Sequence, residues 1–477
     1  MTARRKAIIL VTCCLSLLIV SMDATIVNVA IPSIRSDFGA SASQLQWVID
    51  IYTLVVASLL MLAGAAGDRF GRRRTFQIGL TVFALASLLC SLAPNIETLI
   101  AARFLQAVGG SMMNPVAMSI ISQVFTGRVE RARAIGVWGS VVGISMALGP
   151  IVGGALIEYV DWRAVFWINL PICALAILLT AIFVPESKSA TMRDLDPIGQ
   201  ALGMVFLFGV VYVLIEGPGL GWTNIRTIVV AVISAAAFAG FLRYEARRRD
   251  PFIDLRFFRS VPFASATMIA VCAFAAWGAF LFMMSLYLQE ERGFSAMHTG
   301  LIYLPVAVGA LVFSPLSGRL VGRFGARPSL LASGFLITVA TLMLTLLTHN
   351  TPVWLLLVIF AVFGIGFSIV NAPVTNAAVS GMPTDRAGAA SAIASTSRQV
   401  GVSLGVALCG SIAGAALATA GADFAVASRP LWLVCAALGV VIFVLGFFST
   451  SPRALRSAER LEPLVSGTRR MEAADVG

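Results

Sequence analysis

Three charged residues lie inside runs that are otherwise apolar: Asp23 in LLIVSMDATIVNVAIP, Asp50 in WVIDIYTLVVASLLML and Arg103 in LIAARFLQAVGG. A charged side chain inside a bilayer costs ~2.5–3.5 kcal/mol on insertion scales, so each must face a partner, a proton or a water-filled cavity. The chemistry open to them is exchange. One or both carboxylates can alternate between a proton and a cationic substrate, while the fixed charge of Arg103 keeps that protonation in a usable range. Counting inward from the outer end of each span, at ~1.5 Å per residue, puts all three roughly 8–12 Å deep, at one level. Two plainer roles stay open. Asp23 and Arg103 could form a static ion pair that only sets helix packing, and Asp50 could be an interfacial acid that titrates freely.

A second constellation follows Asp50. GAAGDRFGRRR, from Gly64 to Arg74, is a Gly-rich turn carrying four arginines, and such a turn belongs on the cytoplasmic side. It recurs as GRLVGRFGARP, from Gly318 to Pro328, with Gly322 in place of Asp68 and Ala326 in place of Arg72. Two halves built alike suit a molecule that rocks around a central site. Between the copies, GVWGSVVGISMALGPIVGG holds Gly136, Gly139, Gly143, Gly149, Gly153, Gly154 and Pro150. Small residues at four-residue spacing let helix backbones approach closely, and a proline removes one ladder bond and kinks the helix. A bend at the interface between the halves is expected.

Other chemistries lack their residues. The only lysines are Lys6 and Lys188, neither ending a GxxxxGK[ST] run, so there is no phosphate-binding loop. His298 and His349 are the only histidines, in external loops, and the seven cysteines fall in apolar runs without ligand spacing. No metal, no cofactor and no enzymatic step is expected; work would come from an ion gradient. Glu97, Glu158, Asp161 and Glu216 read as solvated span ends. Arg398, in STSRQVG, either snorkels to headgroups or meets a substrate. Trp47, Tyr52, Trp138 and Phe166 either stack on an aromatic cation or mark the interface belt.

Helices must hold all of this. With 58% hydrophobic and 12% charged residues and a mean hydropathy of +0.92, the chain is an all-α polytopic membrane protein rather than a soluble globule. Apolar runs place spans near 7–31, 45–66, 75–93, 98–122, 134–158, 164–184, 197–216, 226–243, 261–288, 299–318, 328–348, 353–376, 388–418 and 429–450. Fourteen spans put both termini on one side. Most of the 34 lysines and arginines then fall there, which explains the net charge of +11 without nucleic acid. Aligning the two turns matches spans 1–6 with 9–14. The domains are an N-terminal six-helix bundle (1–184), two inserted helices and a basic linker (185–260), a C-terminal six-helix bundle (261–451) and a disordered cytoplasmic tail (452–477). The linker, with Arg247, Arg248, Arg249, Arg256 and Arg259, suits an anionic leaflet.

Together these motifs resemble the fourteen-helix drug:proton antiporter family of the major facilitator superfamily, over nearly the whole chain except the tail. MDATIVNVAIP (Met22 to Pro32) is similar to that family's first-helix motif, apart from Met22. The Gly64 turn resembles the loop signature, apart from Ala66. RFLQAVGG (Arg103 to Gly110) resembles the helix-four motif, whose arginine is implicated in proton transfer. GISMALGPIVGG (Gly143 to Gly154) resembles the antiporter motif of helix five, and SRQVG (Ser397 to Gly401) a second-half pattern. WVIDIYTLV is similar to the subgroup exporting quaternary ammonium compounds and cationic dyes, with an acid at the position of Asp50.

The resemblance implies a major facilitator fold of two six-helix bundles plus two extra helices. Asp23, Asp50 and Arg103 would bind substrate and proton. Asp68, Arg69 and Arg72 would form a cytoplasmic latch, Asp68 accepting from arginines of its turn and from a facing helix N-terminus. Gly143, Gly149, Pro150 and Gly153 would complete the conformational switch. The second turn lacks the acid, so a symmetric latch is not expected. The tenth span lacks an acid, which implies monovalent or neutral lipophilic cargo. A monomer in the bacterial inner membrane, with cytoplasmic termini, would expel lipophilic, cationic drugs in exchange for protons. Two alternatives stand beside it: a dedicated exporter of an endogenous metabolite or self-made antibiotic, and a non-transporting sensor or scaffold.

Overall fold

The computed structural model describes residues 2–188, 196–248, 254–379, 387–414 and 424–459. Fourteen helices of membrane-crossing length occur among them. They are α1 (Ala3–Phe38), α2 (Ala42–Phe70), α3 (Arg72–Ser91), α4 (Ile96–Val124), α5 (Arg128–Tyr159), α6 (Ala164–Phe183) and α7 (Pro197–Leu220). Then come α8 (Ile225–Glu245), α9 (Val261–Glu291), α10 (Ala296–Phe324), α11 (Ala326–Leu344), α12 (Val353–Val379), α13 (Ala387–Cys409) and α14 (Phe424–Ser449). Twelve are both long and apolar enough to cross a membrane, and α5 and α13, of 32 and 23 residues, match them in length. The chain is therefore a multi-pass, all-α membrane protein.

The ends of these helices follow local chemistry. Ser41 and Gln44 form a reciprocal capping box at α2, Asn95 caps α4, and Asp196 precedes Pro197 at the start of α7. The first helix extends well beyond 7–31. Pro32 forfeits only one ladder bond, and the helix runs on to Gly39, whose left-handed conformation ends it. The last turn of α9, Tyr287–Glu291, is widened to π geometry, as is Gly410–Gly414 after α13; the rest of the helix expected to reach residue 418 lies outside the described residues. The tail also departs from expectation. Pro452–Glu459 forms a short helix, α15, whose Ser457 hydroxyl accepts from the backbone N–H of Val261 at 2.9 Å. The remaining tail, with Arg460, Arg469 and Arg470, lies outside the described residues, as do Arg193, Arg249 and Arg386.

Packing repeats from one half to the other. In the first half α1 lies on α5, α2 on α4, and α3 on α4; in the second, α9 lies on α13, α10 on α12, and α11 on α12. The two halves meet along two matching seams, α2 with α13 and α5 with α10. Helices α7 and α8 pack on each other, and α7 covers only the α2–α13 seam. Leu54, Val211, Ile215 and Ala407 are buried there, with Trp47 and Leu404 against them.

Candidate functional site

Asp23 on α1 and Arg103 on α4 meet in the first half, as an ion pair 0% and 1% exposed. The acid is fully engaged. Arg103 donates to Asp23 Oδ2, while Gln106 Nε2 and Asn169 Nδ2 donate to Oδ1 at 2.9 and 3.2 Å. Gln106 also accepts from Arg103 at 2.6 Å, and the Ser87 hydroxyl accepts from Gln106 and Asn169 at 2.9 and 3.3 Å. Arg103 Nε donates to the Val48 carbonyl of α2 at 3.1 Å, and its guanidinium lies 4.3 Å from the Tyr52 ring centroid. Removing either ion would leave the other buried without a counter-charge, which costs ~3–5 kcal/mol.

Asp50 stands apart from this cluster. It is 0% exposed, and neither carboxylate oxygen has a hydrogen-bond partner. The interfacial, freely titrating role is thus overturned by burial. Residues two apart on a helix point ~200° from each other. Tyr52 faces Arg103, so Asp50 faces the other way, toward the Ser403 hydroxyl of α13. Among the described residues, the carboxylate paired with Arg103 is that of Asp23. One turn nearer the start of α2, Gln46 donates to the Val406 carbonyl of α13 and joins the two halves beside the carboxylate.

Further bonds between the halves lie at the same end of the molecule. Arg35 pairs with Glu290 at 2.7 Å, Gln289 donates to the Val29 carbonyl at 3.0 Å, and the Met297 N–H donates to Glu158 at 3.4 Å. The widened π turn of α9 carries both Gln289 and Glu290 against α1. Beside them, a Cβ on Gly154 of α5 would overlap the Ala296 carbonyl oxygen of α10, and one on Gly300 would lie 3.1 Å from Ile151. At the arginine-rich face the described residues show no hydrogen bond or ion pair between the halves. The molecule is closed at one face and held only by apolar contact, including Met61 against the Phe257–Phe263 cluster, at the other.

The Gly64 turn is anchored within its own half. Asp68 accepts from Arg72 at 2.8 Å, Arg72 donates to Gln123 of α4 at 3.2 Å, and Glu186 accepts from the first N–H groups of α3, those of Arg73 and Arg74. Gly71 turns the chain at φ 116°, a region closed to most side chains. The expected bond from Asp68 to a facing helix N-terminus is not among the described contacts; Arg69 lies over the Phe70 ring. In the second copy, Gly318, Gly322 and Gly325 have open space around them.

On α5, the glycines divide between two partners. Gly149 and Gly153 press on Thr25 and Ile26 of α1, within the first half, whereas Pro150 and Gly154 face α10 across the seam. The helix is continuous through Pro150. Gly143 lies on it, but its surroundings are outside the described residues.

Sequence reasoning passed over several contributors. Gln46, Gln106, Asn169, Ser87 and Glu186 are ordinary polar residues whose only signal was placement inside or beside an apolar run. Trp47 is not simply an interface marker: its Nε1 donates to Glu216 of α7 at 2.8 Å, so Glu216 is not merely a solvated span end. The cation that Tyr52 and Phe166 stack on is Arg103 itself. Where the first half carries its ion pair on α1 and α4, the matching α9 and α12 carry stacked rings. Trp277 and Phe367 lie 4.5 Å apart, and Phe280 and Phe363 4.2 Å apart.

Residues 13–406 match the sequence profile of the Major Facilitator Superfamily. The chain is 37% identical over 409 residues to multidrug resistance protein Stp of Mycobacterium tuberculosis (strain CDC 1551 / Oshkosh), covering 86% of this chain and 76% of that one. It is 35% identical to the tetracenomycin C resistance and export protein of Streptomyces glaucescens (82% and 73% covered). It is 33% identical to the multidrug efflux pump LfrA of Mycolicibacterium smegmatis (strain ATCC 700084 / mc(2)155), with 86% and 81% covered. Among solved structures, an inward-facing, unoccupied bacterial homologue of the human lysosomal transporter Spinster superposes with a TM-score of 0.65 at 17% identity, covering 97% and 99% of the chains. A D-xylose–proton symporter superposes with a TM-score of 0.66 at 14% identity, covering 93% and 97%.

Proposed function

The chain belongs to the Major Facilitator Superfamily, and we propose that it exports small lipophilic compounds, cationic ones among them, from a bacterial cell in exchange for protons. The observation that carries this reading is Asp50: a carboxylate buried without a partner, on the seam between the halves, one turn inside the Gln46 bond. An unpaired ionised carboxylate in such a site is costly, so it holds a proton or a cation. Proton and cargo compete for one group, and competition at a single site is what couples their opposite movements. Relatives named for multidrug resistance and efflux support export as the direction.

The arginine-rich face is the cytoplasmic one by the positive-inside distribution, with both termini there, and the protein is a monomer in the inner membrane. The structure then corresponds to an inward-facing state, its outer face held by Arg35–Glu290 and the Gly154–Ala296 approach. Asp68, Arg69 and Arg72 brace the first bundle at the cytoplasmic mouth. Ethidium uptake into proteoliposomes under an imposed proton gradient tests the reading. Uptake that collapses with a protonophore and in Asp50→Asn is expected; protonophore-insensitive uptake, or full uptake by Asp50→Asn, overturns it. The relative named for tetracenomycin C favours a second reading, a dedicated exporter, which predicts one transported compound among many tried.

A further inference from the structure

Among the described residues, Arg398 on α13 is a cation without a counter-charge. Its Nη2 donates to the Thr375 hydroxyl of α12 at 2.5 Å, its guanidinium lies 5.9 Å from the Phe274 ring of α9, and its Nε has no partner. No described carboxylate pairs with it. Intramembrane arginines are costly and ordinarily meet an acid, a carbonyl or water. Here the neighbours give a direction. Thr375 and Asn376 are exposed polar residues within the last five residues of α12, at its arginine-rich end, where polar groups meet water. The lipid-facing surfaces elsewhere are apolar, as with Val440, Val444 and Phe448 on α14. Arg398 lies where α9, α12 and α13 meet, and on the exporter reading the path of cargo from the cytoplasmic mouth toward Asp50 passes this junction. Ser403, which faces Asp50, is five residues further along α13, about 7.5 Å at the helical rise.

We propose that Arg398 binds an acidic group of the cargo, a carboxylate or another oxyanion, so that the transporter accepts amphoteric lipophilic compounds as well as simple cations. The proposal rests on the exporter reading above and names its substrate class. The charge arithmetic is direct. With Asp50 ionised, the path holds one negative and one positive site, complementary to a zwitterion that enters with its ammonium toward Asp50 and its acid at Arg398. A guanidinium presents a planar pair of donors that suits an oxyanion, and Phe274 on one side and Thr375 on the other hold it in place. A monocation, by contrast, passes a like charge on its way to Asp50.

Two dyes isolate the acidic group: rhodamine B, which carries a free carboxylate, and its ethyl ester, a monocation differing at that group alone. Proton-driven uptake of each is measured in proteoliposomes for wild type, Arg398→Gln and Arg398→Lys. The expected result is that wild type takes up both. Arg398→Gln should lose tenfold or more of the acid's uptake while ester uptake is unchanged or rises, and Arg398→Lys should keep part of the acid's uptake. Ester uptake by the variants shows that they are folded. An acid-to-ester ratio that is the same in Arg398→Gln as in wild type overturns the proposal and leaves a snorkelling arginine. So does wild-type uptake of the ester alone, which leaves the exporter reading standing. Proton-driven uptake of neither dye, nor of ethidium, overturns both.

Discussion

Asp23 and Asp50 are the same residue type at similar depth, yet their surroundings give them opposite roles. Asp23 accepts from three side chains, one of them a guanidinium, so it is held in place. Asp50 has nothing to hold it, so its occupancy is free to change. Arg103→Gln should lower stability by ~3–5 kcal/mol, read as a large drop in melting temperature in detergent, because it strands the Asp23 carboxylate. Asp23→Asn combined with Arg103→Gln should recover most of that loss, a coupling measurable as a double-mutant cycle. Proton-driven uptake should stay absent in the double variant. If uptake returned with stability, the pair would only set packing.

At the scale of the element, α5 shows how one glycine-rich helix serves two contacts. Gly149 and Gly153 seat it on α1 within one rigid half, and Gly154 brings it against α10 of the other. Gly149→Val should therefore cost stability, about 1–3 kcal/mol of overpacking, visible in thermal unfolding. Gly154→Val should instead leave each half intact and hinder closure of the outer face. Cross-linking between cysteines introduced at positions 35 and 290, in a background without the native cysteines, should fall in Gly154→Val and persist in Gly149→Val. The widened end of α9 belongs to the same account: a π turn re-aims Gln289 and Glu290 so that both reach α1.

Over the whole molecule, the two seams are alike in the fold and unlike in what covers them. Inserted α7 packs over α2 and α13, with the Trp47–Glu216 bond and the Ser411–Leu214 bond across it, while no inserted helix packs on the α5–α10 seam. The face opposite the arginine-rich turns is held by a few polar contacts, of which Arg35–Glu290 is the clearest. Its two side chains are 43% and 32% exposed, so the pair contributes ~0.2–1 kcal/mol. Glu290→Gln should accordingly shift the balance toward the outward-open state by at most about fivefold, and Arg35→Glu with Glu290→Arg should restore it. Spin-label distances between the outer ends of α1 and α9 would report both populations.

Composition and period alone determined that this chain crosses a membrane many times, because twenty apolar residues in a row have no other stable solvent. The two copies of the Gly64 turn likewise determined the two-half plan, since a repeated turn at a repeated interval forces matching helices. Motif residues marked Asp23, Asp50 and Arg103 because a charge in an apolar run stands out in one dimension. Partnership did not. Which acid Arg103 holds depends on helix rotation and on Gln106 and Asn169, residues distant in sequence that only packing brings to Asp23. The isolation of Asp50 and the closure of one face are relations between the two halves. They are set by how the bundles meet, a contact that no local pattern encodes.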